Sequence, residues 1–428
     1  MVAAWWRARP SYGRIRRLPP GSLGLGHSLD AVQNQRYYLE QAARFGPVFK
    51  SSEFGAPVVC IVGLGRARAI LAAQGESFAG ARFTKRYNRF IPRGILRYMD
   101  PGTHREFAPP FRALYGSLQL DRAEPVLEAV YRSNLARLAA DSARSQDGVS
   151  AHSYVRRAML EQVGYLFYGL TPGDPLLDEL ERCMPRLQGP AVGNRGWQQS
   201  TREALNGVTA VIEKIRSGWQ RDGDGGFTPA LRALVTANPA AIDDPTIAGN
   251  FILISHIAYG DLTGLHMWIF KLLSDHRSAL DPVRAGEPDA ATRIVMETLR
   301  LEQSEFLYRR IIRTFEYEGM RFPAGWMIRC CINESHRDPA VFPEPDRFDP
   351  ERFARRTYSR EEYAPFGADA HGCMGSHIAR FLGRLFVEQL ASGFDWTVMT
   401  DGPPERAGNR HRDHWRPSSA QRVVLTSR

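Results

Sequence analysis

No stretch of the 428-residue sequence reaches eighteen consecutive apolar residues, so nothing in it reads as a membrane-spanning helix. The opening residues Met1 to Pro20 hold Trp5, Trp6 and five arginines (Arg7, Arg9, Arg14, Arg16 and Arg17), and their apolar run is too short for the core of a secretory signal. There is no cysteine framework either. The five cysteines (Cys60, Cys183, Cys330, Cys331 and Cys373) follow no disulfide spacing, and reduced thiols in a cytoplasmic setting are the expectation. No internal repeat is visible. The formal net charge is +10, yet no basic helix and no basic patch interleaved with aromatics supports nucleic-acid binding. A basic face for an acidic protein partner and a merely solvated surface remain as the two readings of that charge.

What is present is an ordinary globular composition, 43% hydrophobic and 24% charged. Length as a prior allows two or three domains or one large one. We take residues 1–30 as a basic, Pro-rich lead and 31–428 as a single domain. Asn34 to Phe45 has helical character. Pro47–Lys50 and Val58–Val62, separated by a turn-like Glu53–Pro57, form a hairpin candidate. Gly65–Ala73, Pro125–Ala140 and Tyr154–Phe167 read as helices, and Phe83–Tyr98 as a loop. Arg195–Asp224 reads as helical up to the glycine-rich run Asp222–Gly226. Asp243-Asp244-Pro245 is a helix start, and the pattern after it sustains one helix to about Asp275, buried through Phe251–Phe270. Polar groups in so buried a helix need partners. Ala291–Leu301 is a further helix that puts Glu297 and Arg300 on one face. Strand character returns over Phe315–Ile332. The fold class is therefore mainly α with a smaller β region.

The chemistry concentrates in Phe366-Gly367-Ala368-Asp369-Ala370-His371-Gly372-Cys373-Met374-Gly375. Glycines there allow positive φ and the close approach of a flat ligand. The helix pattern beginning at Ser376 places the Cys373 sulfur just before a helix N-terminus, which favours a thiolate. A thiolate on a glycine-lined loop can ligate iron; a buried structural cysteine in a turn is the plain alternative. A zinc site from His371, Cys373 and His377 lacks a fourth ligand of matching spacing.

This stretch resembles the cysteine-ligand loop of the cytochrome P-450 family, the haem-thiolate monooxygenases: Phe366, Asp369, His371, Cys373 and Gly375 fill its slots. Glu297-Thr298-Leu299-Arg300 resembles the family's Glu-x-x-Arg helix. His336–Pro343 and Arg347–Phe353 resemble its meander, whose arginine, here Arg352, joins Glu297 and Arg300 in a structural network. The resemblance is close over Asp244–Phe386 and loose before it. It implies haem b held between the long central helix and the cysteine loop. Cys373 would be the axial ligand, with Phe366, Gly367, His371, Gly375, His104 and Arg309 around the cofactor; His104, His371 and Arg309 would meet its propionates. Where the family carries an arginine four residues after His104, this chain has Ala108, and Arg105 or Arg112 is the expected replacement.

The central helix departs from the pattern. Asp261 falls on the family's acid, Leu262 on its usual threonine, and Thr263 lies one place late. Because one residue turns a helical side chain by about 100°, Thr263 replaces the alcohol only if a local bulge rotates it inward. Either Asp261, a water or a substrate group delivers the protons, or the oxidation needs fewer of them, as in radical coupling. Ala258, Asp261 and Leu262 would line the distal face, and Ser304, Glu305 and Phe306 would approach the substrate. Glu305 would pair either with a basic substrate nitrogen or with Arg309, Arg310 or water. The implied function is O2-dependent oxidation of a small organic molecule in secondary metabolism. Electrons would come from a separate ferredoxin and its reductase, with Arg380 and Arg384 offered to the acidic donor. A haem oxidase or peroxygenase-like enzyme without standard hydroxylation, and a non-catalytic haem sensor, are the alternatives.

Overall fold

The computed structural model describes residues 18–24, 34–53, 56–80, 96, 99, 101–116, 118–187, 203, 206–207, 209–211, 213–214, 217, 244–302, 306–367, 372–406 and 415–428. Helix α1 (Tyr37–Phe45) leads into the hairpin of β1 (Val48–Glu53) and β2 (Ala56–Val62), followed by α2 (Leu64–Ala73) and β3 (Phe78–Gly80). Then come α3 (Pro101–Gly116), α4 (Leu120–Ser142), α5 (His152–Val163) and α6 (Pro175–Leu187). The long helix α7 (Asp244–Asp275) precedes α8 (Ala290–Leu301). Strands β4 (Phe306–Ile311), β5 (Phe315–Tyr317), β6 (Met320–Phe322) and β7 (Met327–Cys331) follow, and α9 (Ser376–Gly393) comes after a region of turns and single-turn helices. The C-terminal part holds β8 (Phe394–Thr400), β9 (Glu405–Arg406), β10 (Trp415–Arg416) and β11 (Arg422–Ser427).

The principal sheet has the order β1-β2-β7-β4-β3. Its hairpin pairs Val48 with Ile61 through Glu53 with Ala56, and β2 runs parallel to β7 with Cys60 opposite Arg329. Both faces of β2 and β7 are covered, which is why β2 reads as an unbroken apolar run instead of an alternating one, and why Arg329 of β7 is buried. The end of the expected lead already belongs to this layer. Gly21 bridges Lys50 at φ +113, and a Cβ there would meet the Lys50 carbonyl oxygen at 2.3 Å, so only glycine fits.

The helical body is one apolar cluster joining α4, α5, α7, α8 and α9. Helix α7 spans 32 residues, about 48 Å at 1.5 Å per residue, and every side chain from Leu262 to Phe270 is buried. Its N-terminal part is fixed by Asn250, whose Oδ1 accepts the Leu96 amide at 2.9 Å. Its C-terminal part is fixed by Trp268, whose indole donates to the Trp415 carbonyl at 2.8 Å. Helices α8 and α9 cross closely at Gly383, where a Cβ would approach Val295 at 2.9 Å. That contact sets the helix carrying Glu297 and Arg300 against the helix that follows the cysteine.

Helix α3 runs through Pro109 and Pro110 and α4 through Pro125, positions where the missing N–H removes an intrahelical bond. The expectation of a loop over residues 83–98 and that of helix over 195–224 fall largely outside the described residues.

Candidate active site

Cys373 lies two residues before Gly375, the residue that precedes α9, and it is exposed. The loop carrying it is closed by its own backbone: the Cys373 amide donates to the Phe366 carbonyl at 2.8 Å, and Gly367 adopts φ +102, which a side chain would strain. A Cβ on Gly375 would lie 3.9 Å from the Cys373 sulfur, an ordinary contact, so glycine leaves that side of the thiol open. The Phe366 ring is covered by the Arg380 guanidinium at 5.4 Å. His371 lies outside the described residues.

Beneath the loop is a saturated ionic knot. Glu297 accepts from Arg300 Nε and Nη2 at 2.8 Å each, from Arg352 Nε at 3.0 Å and from the Asp349 amide at 3.0 Å. Arg300 spends its remaining donors on the carbonyls of His336 (2.9 Å), Pro345 (2.8 Å) and Arg347 (3.2 Å). Glu297 and Arg300 are fully buried, and bidentate geometry with every donor used is what lets such charges stay in the interior. The knot reaches the cysteine loop through His336, whose Nε2 accepts the Ala364 amide at 3.1 Å. Burial, reinforced by the charge of Arg300, holds the His336 imidazole down at about 3, so it is neutral and able to accept there. A second tie is the Tyr363 hydroxyl, which donates to the Met296 carbonyl at 2.8 Å.

His104 and Arg309 are both buried, at 3% and 7% exposure, although each is polar enough to need a strong reason for it. His104, Ala108, Phe111 and Tyr115 form the buried face of α3. Arg105 and Arg112 stand on its exposed side, and Arg105 faces Glu76 at 3.7 Å. Of the two arginines expected to replace the one missing at Ala108, Arg105 at +1 is turned about 100° from His104, whereas Arg112 stands one turn beyond Ala108; both side chains are exposed. Arg309 sits on β4 between Gly80 of β3 and Ile328 of β7, and its Nη1 donates to the Tyr308 carbonyl at 2.7 Å.

On α7, Asp261 is exposed while Leu262 and Thr263 are buried, and Ala258 is half-buried. The helix continues through this turn without a bulge. Thr263 Oγ1 donates to the Tyr259 carbonyl at 2.6 Å, four residues back, so its hydroxyl is committed to its own helix. Tyr259 is buried in its turn and its hydroxyl accepts from Arg156 Nε. One turn further, His266 Nδ1 contacts the Leu262 carbonyl at 2.7 Å, and its Nε2 lies 2.6 Å from the Tyr131 hydroxyl, which also reaches the Leu382 carbonyl of α9 at 2.9 Å. Burial keeps His266 at about 4. Sequence reasoning asked only for partners to the polar groups of this helix; Tyr131, 135 residues from His266, carried no local signal. Ser304 and Glu305 lie outside the described residues, as does the side chain of Phe306.

An exposed thiol on a closed glycine loop, together with an exposed carboxylate on a long buried helix, fits a thiolate-ligated flat cofactor. The buried His104 and Arg309 suit its acidic substituents. The cytochrome P450 family model matches residues 291–420. The chain belongs to the cytochrome P450 family. It is 25% identical over 425 residues to abscisic acid 8'-hydroxylase 3 of Oryza sativa subsp. indica, covering 90% of this chain and 82% of that protein. It is 24% identical over 414 residues to the putative cytochrome P450 120 of Synechocystis sp., covering 89% and 91%. Among solved structures, retinoic acid bound cyanobacterial CYP120A1 superposes with a TM-score of 0.79 at 24% identity, over 96% of this chain and all of that one. This cytochrome P450 is thus a monooxygenase-class oxidoreductase with haem b as cofactor, acting with O2, a small-molecule substrate and redox partners. Among the described residues no helix is long and apolar enough to cross a membrane. Of the three residues of the zinc alternative, His371 is outside the described residues and His377 Nε2 contacts the Tyr115 carbonyl at 3.0 Å.

Proposed function

We propose that Cys373 is the axial ligand of the haem and that the chain hydroxylates a small organic molecule. The observation that carries this reading is the exposed Cys373 sulfur on a loop closed by the Cys373–Phe366 backbone bond immediately before α9. Haem b, when bound, supplies the redox centre for O2 activation. The residues of the chain do the rest. Gly367, Gly375 and Phe366 shape the approach to the sulfur, and the N-terminus of α9 favours its ionised form. His104 and Arg309 meet the propionates, His371 being the third donor by position. Glu297, Arg300 and Arg352 hold the meander rigid and, through His336 and Ala364, fix the height of the loop.

On the opposite side Asp261 is the proton-handling group. Leu262 in the alcohol's place and the engagement of Thr263 with Tyr259 leave the Asp261 carboxylate to act through water or through a substrate group. Ala258 and Leu262 line the distal face beside it. Ser304, Glu305 and Phe306 contact the substrate by their position after α8. Hydroxylation is favoured over coupling because the similar plant proteins are named hydroxylases. The finer parts of the reading are a secondary-metabolic setting and a ferredoxin with its reductase as donor, the latter supported by the +10 net charge.

The test is spectroscopic. The reduced protein is expected to give the red-shifted carbon monoxide band of a thiolate-ligated haem, and Cys373→Ser is expected to abolish it. Persistence of that band in Cys373→Ser refutes the assignment. Titration with a panel that includes abscisic acid and retinoic acid, read as substrate-induced shifts of the main haem band, then identifies the substrate class.

A further inference from the structure

The turn of α7 that exposes Asp261 is held from outside at Tyr259, two residues earlier. Two residues turn a helical side chain by about 200°, so Tyr259 and Asp261 leave α7 on nearly opposite sides. Tyr259 is 4% exposed, and its hydroxyl accepts a hydrogen bond from Arg156 Nε of α5. The same guanidinium lies over the Tyr259 ring, 5.4 Å from its centroid, within the range of a cation–π contact. Burial raises the Tyr259 phenol above its usual value, so the hydroxyl serves Arg156 as a neutral acceptor. The next arginine of α5 is spent differently. Arg157 meets Glu161 at 2.8 Å, and Asp178 and Glu181 of α6 at 2.6 Å and 3.1 Å. The bond from Thr263 Oγ1 to the Tyr259 carbonyl lies within α7 and turns with it. The Arg156 bond is made from another helix and therefore fixes the rotation of the turn. A slip of one residue, about 100°, would bring Gly260 or Leu262 to where Asp261 now stands.

We propose that Arg156 is a positioning residue for the distal side: by holding Tyr259 against α5 it keeps the Asp261 carboxylate turned towards the cofactor site. The inference rests on the reading of Asp261 as the proton-handling group. A carboxylate handles protons only within hydrogen-bond reach of the group it serves, and Arg156, acting through Tyr259, sets that reach.

Carbon monoxide bound to the reduced, haem-loaded full chain is the probe. Its C–O stretch in the infrared responds to charge and polarity on the distal side and needs no substrate. Asp261→Asn is expected to shift the band. Arg156→Met keeps the apolar stem and removes the donor; Tyr259→Phe keeps the ring and removes the acceptor. Both are expected to shift or broaden the band, and the double variant to do no more than either alone, as two halves of one contact do. Arg157→Gln breaks the ties to α6, leaves the Tyr259 contact intact and is expected to keep the wild-type band. In hydrogen peroxide-driven oxidation of guaiacol, Arg156→Met and Tyr259→Phe are expected to lower kcat several-fold with little change in the KM for peroxide. A wild-type band in both variants while Asp261→Asn shifts it overturns the proposal and spares the reading of Asp261. A wild-type band in all three overturns both. Should Arg156→Met fail to fold, Tyr259→Phe decides alone.

Discussion

Glu297 and Arg300, three residues apart on α8, are joined by two 2.8 Å hydrogen bonds, and neither side chain touches solvent. The same carboxylate holds Arg352, 55 residues away, so one acid compensates two buried guanidinium groups. Removing it leaves two cations in a low-dielectric interior. Glu297→Gln is therefore expected to lower unfolding free energy by about 3–5 kcal/mol. Because the knot leads through His336 to Ala364, the variant is also expected to lose haem before it unfolds. Denaturant unfolding followed in parallel by far-UV circular dichroism and by the haem band checks both; a stability within about 1 kcal/mol of wild type contradicts the first.

The two polar side chains at the centre of α7 are expected to behave oppositely. Thr263 already donates to the Tyr259 carbonyl, so Thr263→Ala should leave turnover within about twofold, the change of one local bond. Asp261 is the exposed carboxylate of that turn, and Asp261→Asn should slow turnover by more than about tenfold, as the loss of a proton donor does. Solvent isotope effects on both variants discriminate further. Equal rates for Asp261→Asn and wild type would sink the role of the carboxylate.

The stability of the protein should fall in mild acid. His266 is held at about 4 by burial and His336 at about 3 by burial and Arg300. Both stand below the value of about 6.5 that the unfolded chain provides. Between those limits the unfolded state binds protons that the folded state refuses, so stability is full above about pH 6.5 and declines as pH falls towards the folded-state values. The slope is at most about 1.4 kcal/mol per pH unit for each histidine. Urea unfolding at pH 7 and pH 5 measures it. His266→Phe is expected to flatten the slope, since Tyr131 still reaches the Leu382 carbonyl; an unaltered slope means the acid sensitivity lies elsewhere.

Much of this architecture could be read from local pattern. Asp243-Asp244-Pro245 marked the start of α7, the hairpin and α8 lay where periodicity put them, and helical rotation alone turned Thr263 away from the alcohol's place. What escaped was of two kinds. Helix α3 runs through Pro109-Pro110, a pair that argues against helix until packing of Phe111 and Tyr115 overrides it. Strand β4 and the β8–β11 pair need partners from distant segments, as do Tyr131–His266 and His336–Ala364, and no window of sequence contains both halves.

The electron donor's docking face can be tested residue by residue. Arg384 is held by Glu124 at 2.9 Å and by both oxygens of Glu388, so its charge is largely spent within the protein. Arg380, exposed and stacked over Phe366 beside the cysteine loop, remains available to an acidic partner. Arg380→Glu is accordingly expected to slow reduction by a ferredoxin several-fold at low ionic strength, with the difference vanishing towards about 1 M salt, where screening shortens to about 3 Å. Glu388→Gln acts in the other direction, since it releases part of the Arg384 charge, and should accelerate reduction at low salt. Stopped-flow reduction of the two variants across a salt series reads both signs. If Arg380→Glu leaves the rate and its salt dependence as they were, the donor docks elsewhere.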